Sequence, residues 1–175
     1  VANAGVGRRQ GSLALPQAAL LLGLCLINLL GTGFVAVVND KSSTDALHYY
    51  GPAYNRDRGL GCRLGGRGDV HMPAGEPPYP ARTRFLYPYL ASLAFRLFGP
   101  SLHAAAGVSA LFKALLVLPI FWLALELFGS RVAWVAAALY TLSPFYFEMG
   151  LRAMPETTCS FFYYAGFSAL IAHAR

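Results

Sequence analysis

Asp45, His48, Tyr49 and Tyr50 fall within six positions of one another in the stretch NDKSSTDALHYYGPAYNRDRGLG, residues 39–61, immediately after a long apolar run. Polar groups gathered at the end of a membrane span lose hydration, which costs free energy unless they are paired or used. A carboxylate in that setting is suited to take up a proton or hold a cation, and the stretch reads as a membrane-surface active site whose leading acid is Asp45. Asp40 is the rival acid. A second charged cluster, EMGLRAMPE, occupies 148–156, where Glu148, Arg152 and Glu156 recur every four residues and would share one helical face. Pro155 opposes a continuous helix through Glu156 and suits the first turn of the next one. Taken alone, this cluster is either a salt-bridged turn at the membrane surface or part of a substrate site; a position beside Asp45 favours the latter.

The elements that must hold these residues are membrane helices. Hydrophobic residues make up 56% of the 175-residue chain and charged residues only 13%, outside the soluble globular range. Residues 13–38 carry no charge, and at about 1.5 Å per residue they suffice to cross about 30 Å of hydrocarbon. A signal-peptide apolar region is shorter, about 7–15 residues. Residues 101–128, 132–147 and 157–173 are the further expected spans. The chain begins with Val and ends as an apolar segment finishes, so it reads as the N-terminal part, 1–175, of a longer membrane domain.

Residues 39–100 form a long external loop rich in Gly and Pro. Within it DALHYYGPAYN is expected to form one or two helical turns, with Ser43 or Thr44 as N-cap, Asp45 in the first turn and Pro52 ending or bending the helix. Residues 85–98 are too short to span and place Leu86, Leu90, Leu93, Ala94 and Leu97 at spacings of three and four, the pattern of a surface helix with one apolar face. That assignment sets the topology. With 85–98 along the outer surface, Arg8, Arg9 and Arg131 fall on the cytoplasmic side, as the positive-inside rule prefers, and the second external loop, 148–156, returns beside Asp45. Lys113, near the middle of a span, must face the bundle interior, toward either a partner on another helix or a lipid-linked phosphate.

The net charge of +6 comes from arginines scattered between apolar runs, without a basic stripe or interleaved stacking aromatics, so nucleic acid is not an expected partner. Cys25, Cys62 and Cys159 are far apart and form no CxxC pair, so neither a zinc site nor a disulfide framework is expected. A metal held by Asp45, His48 and Glu156 is a weaker alternative, because the ligands come from separate loops; no cofactor is expected.

TDALHYYGPAYNRDRGLG resembles the first external loop of the GT-C glycosyltransferases of the dolichyl-phosphate-mannose–protein mannosyltransferase type. Their pattern D-A-x-x-Y-Y-x-x-A-x-N-x-x-x-G-x-G is met by Asp45, Ala46, Tyr49, Tyr50, Ala53, Asn55, Gly59 and Gly61. PPYPARTRFLYPYLASLAFRLFG is similar to the family's juxtamembrane segment, and LELFGSRVAWVAAALYTLSPFYFEMGLRAMPET to its next two spans and second loop. The resemblance implies an all-α, multispanning GT-C-like bundle whose first loop carries amphipathic juxtamembrane helices. It implies an integral protein of the plasma (inner) membrane, N-terminus cytoplasmic and active site external. There it would move a hexose or pentose from a polyprenyl-phosphate donor to a glycan, lipid or protein acceptor. Asp45 matches the family's general base; Tyr49, Tyr50, Asn55 and Glu156 are the implied substrate contacts. Arg82, Arg84 and Arg152 are the implied donor-phosphate ligands, since guanidinium forks match phosphate oxygens. Family members have more spans, so this part is not expected to act alone. The alternative is a transporter or non-catalytic scaffold whose acidic loops bind a partner or cation.

Overall fold

The structure, a computed structural model, describes residues 15–38, 44–59, 63–64, 79–80 and 85–174, leaving undescribed the side chains of 36–38, 44–48, 63–64 and 79–80. A largely apolar sequence without charge gives helix α1, Leu15–Val38. After it come α2, Thr44–Asp57, and α3, Leu86–Phe98, separated in the chain by a two-residue antiparallel pairing of Arg63–Leu64 with Tyr79–Pro80. The longest helix, α4, runs Leu102–Phe128; its N-cap Ser101 accepts the Ala104 amide at 3.0 Å, satisfying one of the free donors of the first turn. Gly129 then reverses the chain with a φ of +90°, open to glycine but strained for other residues, and α5, Ser130–Leu142, starts at once. The remaining helices are α6, Pro144–Leu151, and α7, Glu156–His173.

Two of the sequence expectations meet proline differently. The segment expected as one span over 132–147 is divided at Ser143, which adopts an extended ψ of 117° because Pro144 disfavours the helical region for the residue before it. Pro144 then occupies the first turn of α6, where its missing N–H is no loss. Of the two outcomes expected at Pro52, an end or a bend, the helix does not end there: α2 continues through it to Asp57. The residue before it is Gly51, which has no Cβ to collide with the proline ring, and Pro52 itself is fully buried.

The fold is all-α, and its centre is α4. Leu21 and Cys25 of α1, Leu116, Val117, Phe121 and Ala124 of α4, and Ala133, Ala137 and Tyr140 of α5 form the larger core. The small residues among them let helix backbones approach closely, as in membrane bundles. Contacts along the helices fix their directions. Thr32 meets Lys113, and Tyr140 meets Lys113 while Trp134 meets Phe121, so α1 and α5 run antiparallel to α4. Thr157 meets Ser109 and Ser168 meets Pro119, so α7 runs parallel to it. The end of α1, the start of α4, the α6–α7 junction and the α2–α3 pair are therefore at one end of the bundle.

By length and composition α1 (over Leu15–Val35) and α4 each suffice to cross a membrane. The outer face of α1, with Leu20, Leu22, Leu26, Ile27, Leu30 and Phe34 exposed, has the character of a lipid-facing surface. Helix α3 buries Tyr87, Pro88, Ala91, Ser92 and Phe95. The leucine stripe read from the sequence lies on its other side, where Leu90, Leu93 and Leu97 line an apolar groove of about 650 Å³ shared with Leu111 and Phe112 of α4.

Candidate functional site

The site region is built on one stripe of α4. Ala105, Ser109 and Lys113 follow one another at four-residue intervals and so face the same way. The Tyr87 hydroxyl of α3 donates to the Ala105 carbonyl at 2.8 Å and lies 3.0 Å from the Ser109 hydroxyl. Ser109 in turn donates to the Met154 carbonyl at 2.8 Å and accepts from the Met154 amide at 3.2 Å, while its own carbonyl accepts from the Thr157 hydroxyl at 3.0 Å. One serine thus ties the juxtamembrane helix to the α6–α7 junction. Full burial, together with the nearby Glu156 carboxylate and Tyr49, pushes the Tyr87 phenol well above its ordinary range, against a smaller opposite effect of the Ser109 hydrogen bond; Tyr87 stays neutral.

Helix α2 is docked onto the same end by small residues and aromatics. Ala53 packs with Ala91 and Phe95 of α3, Ala105 and Ala106 of α4, and Ala153, one residue beyond Arg152. This brings the two sequence clusters together. Tyr49 sets its ring edge-on to Tyr87 at 5.8 Å between centroids. Tyr50 stacks on Tyr54 at 5.9 Å and leans on Phe95 at 5.2 Å; burial, then Tyr54, raise its pKa, against a smaller lowering by Arg58. Asn55 is buried, 2% exposed. Outside this core Arg56 lies over the Tyr89 ring at 4.2 Å, Arg58 over Tyr54 at 4.5 Å, and Arg96 pairs with Asp57 at 3.8 Å.

At the junction Arg152 pairs with Glu148, four residues before it. The expected third member, Glu156, is separated from that pair by the non-helical turn at 152–155 and opens α7, where a carboxylate is favoured by the helix dipole. Its Oε2, like the Thr158 hydroxyl in the same turn, is buried and has no hydrogen-bond partner among the described residues. Such atoms call for partners, a donor for the carboxylate oxygen and a donor or an acceptor for the hydroxyl. Lys113, one turn below Ser109, donates to the Thr32 hydroxyl at 2.8 Å and lies 4.7 Å from the centre of the Phe147 ring, so its partners are on α1 and α6.

Of the residues singled out by sequence, Tyr49, Tyr50, Asn55, Arg152 and Glu156 are gathered at this end of the bundle. Asp45 lies in the first turn of α2, one helical turn before Tyr49. The side chains of Asp45 and His48, and all of Asp40, Arg82 and Arg84, lie outside the described residues. Sequence reading missed Tyr87 and Ser109. Ser109 was within reach, as a hydroxyl four residues before the intramembrane Lys113, because polar groups within a span face the protein interior.

No curated protein and no solved structure matches the chain. Residues 80–174, more than half of the chain, match the family described as dolichyl-phosphate-mannose-protein mannosyltransferase. The match begins just before the juxtamembrane helix, includes α4 through α7, and thereby takes in the Tyr87–Ser109–Met154 tie and Glu156. The chain belongs to the dolichyl-phosphate-mannose-protein mannosyltransferase family and is an integral membrane protein of the GT-C glycosyltransferase type.

Proposed function

We propose that the chain moves a sugar from a polyprenyl-phosphate donor to a glycan, lipid or protein acceptor at the external face of the plasma membrane, with Asp45 as general base. The observation that carries this reading is the meeting of the two loop clusters on the first turns of α4, through Ala53 with Ala153 and through Ser109 with Met154. In the proposed step the Asp45 carboxylate takes the acceptor hydroxyl proton as that oxygen attacks the anomeric carbon. The bond from the anomeric carbon to the phosphate oxygen breaks, and its electron pair leaves with the lipid phosphate. Arg82, Arg84 and Arg152 hold the developing phosphate charge, since preorganised cations act most strongly where charge develops. Tyr49, Tyr50 and Asn55 line the substrate side. The Glu156 Oε2 and the Thr158 hydroxyl, unpaired among the described residues, are suited to hydrogen bonds with the substrate or with an arginine.

In membrane terms α1, α4, the α5–α6 pair and α7 are the crossings, α3 lies along the outer surface with its leucine stripe in lipid, and the Gly129 turn is cytoplasmic. Arg131 supports that orientation by the positive-inside rule. Asp45→Asn in the full-length protein is expected to lower sugar transfer by about 10²–10⁴-fold, the usual contribution of a general base, with membrane insertion intact; transfer at the wild-type rate removes Asp45 from the role. A single cysteine at position 131 is expected to resist a membrane-impermeant thiol reagent applied from outside, and ready labelling there overturns the orientation.

A further inference from the structure

We propose that Lys113 is a positioning residue: its buried ammonium ties α6 to the α1–α4 pair and so sets where Arg152 and Glu156 stand. The inference rests on the proposed function only in taking those two residues as substrate-facing. Lys113 is 1% exposed, within a helix long enough to cross the membrane. A charged group at that depth costs free energy on insertion that a methionine of similar length would not. What the ammonium adds over an apolar stem is direction.

That direction is specified from two sides, and a third contact holds the backbone that carries the side chain. The ammonium donates to Thr32 of α1 at 2.8 Å and is covered by the Phe147 ring of α6 at 4.7 Å, while the Tyr140 hydroxyl of α5 donates to the Lys113 carbonyl at 2.8 Å. The stem is sealed by Gly150, where an added Cβ would stand 2.6 Å from Lys113 Cδ and 3.0 Å from Thr32 Cγ2. Only a residue without a side chain admits the helix there. With the residue 1% exposed and its ammonium already on Thr32 and the Phe147 ring, Lys113 acts as an internal tie. Four residues earlier on the same stripe, Ser109 holds Met154 through both of its backbone polar groups. The segment 147–154 is therefore pinned to α4 at two points, and Arg152 lies between them.

The test uses the full-length protein in lipid nanodiscs, with Cys25, Cys62 and Cys159 replaced and spin labels at Arg58→Cys on the end of α2 and Phe145→Cys on α6. A control pair, Leu22→Cys and Leu127→Cys, reports α1 against α4; all four positions are exposed. Lys113→Met and Thr32→Val, which each remove one side of the tie while keeping volume, are expected to shift or broaden the 58–145 distance distribution and leave the 22–127 distribution unchanged. Thr32→Ser, which keeps the hydroxyl, is expected to retain the wild-type 58–145 distribution. An unchanged 58–145 distribution in Thr32→Val overturns the proposal even where Lys113→Met fails to fold, and so does equal broadening of the control pair. Turnover of a polyprenyl-phosphate mannose probe is followed in parallel, with kcat expected to fall in Lys113→Met at constant KM; unchanged kcat with a shifted distance overturns the positioning role. A wild-type protein that does not turn over the probe overturns the proposed function with this donor, while the distances still decide the tie.

Discussion

The two ends of α4 are held in different ways. Toward its C-terminus, Val117, Phe121 and Ala124 pack on Leu21, Cys25, Ala133 and Ala137, a core of apolar groups and small residues with one long hydrogen bond beside it, from the Ser168 hydroxyl to the Pro119 carbonyl at 3.3 Å. Toward its N-terminus, Ala105, Ser109 and Lys113 each take a hydrogen bond to or from another helix or junction. Dispersion contacts are individually weak and carry no direction of their own, whereas a hydrogen bond weakens steeply as its angle departs from linear. Lipid also supplies little apolar driving force between helices, so packing at the first end gives stability with modest orientation. The second end, where the loop clusters meet, is where orientation matters. Stability and site geometry thus fall to separate stretches of one helix, and they should fail separately.

The largest break in that comparison comes from the packed end. Ala137 is fully buried against α4, and Ala137→Leu forces a larger side chain into a close helix crossing. The expected cost is about 1–3 kcal/mol of stability, the usual penalty for overfilling a packed site. It is read as a lowered midpoint of thermal unfolding in detergent, with sugar transfer per folded molecule unchanged. Equal loss of transfer per folded molecule means that the two ends do not act separately.

Next comes the hydrogen-bonded end. Ser109→Ala takes the donor from the Met154 carbonyl, leaves the Met154 amide with the Arg152 carbonyl alone and leaves the Tyr87 hydroxyl with Ala105 alone. One buried unpaired group costs about 1–3 kcal/mol, no more than the overfilled crossing. Here the expected signature is the reverse: transfer per folded molecule falls more than the unfolding midpoint does. A variant that unfolds early but transfers normally when folded assigns Ser109 to stability and removes the distinction.

How much of this was legible in the sequence follows the same division. Helices α1, α3 and α4 could be read from apolar length and from spacing, because these are local properties of consecutive residues. The break at Ser143 was hidden inside an apolar run whose only marker was Pro144, and the passage of α2 through Pro52 depended on the glycine before it. The resemblance drew attention to Tyr49, Tyr50 and Glu156, but what they touch depends on residues far away in the chain. Tyr87 meets Ser109 across 22 positions and Ser109 meets Met154 across 45, and no local periodicity encodes such pairs. Helix α3 shows the limit most plainly. Both of its faces are apolar enough to be buried, and the stripe with the regular leucine spacing is the one turned to the groove and away from α2. Burial on the protein side was decided by fit to Ala53, Ala105 and Ala106, small residues whose importance depends on the partner.

The smallest expected effect sharpens the comparison by showing where directional contacts cease to matter. Arg96 at the end of α3 and Asp57 at the end of α2 form an ion pair at 3.8 Å, with the arginine side chain 62% exposed. It joins the same two helices as the buried Ala53–Phe95 contact, yet water and salt reach it. Exposed pairs contribute about 0–1 kcal/mol, because solvent screens the attraction and two long side chains lose freedom. Arg96→Ala is therefore expected to leave transfer and the unfolding midpoint within error at physiological salt, with any small loss disappearing in high salt. A salt-insensitive drop in transfer after Arg96→Ala would make the α2–α3 pairing depend on charge, and the orienting contacts would then extend beyond the stripe of α4 to the rim of the site.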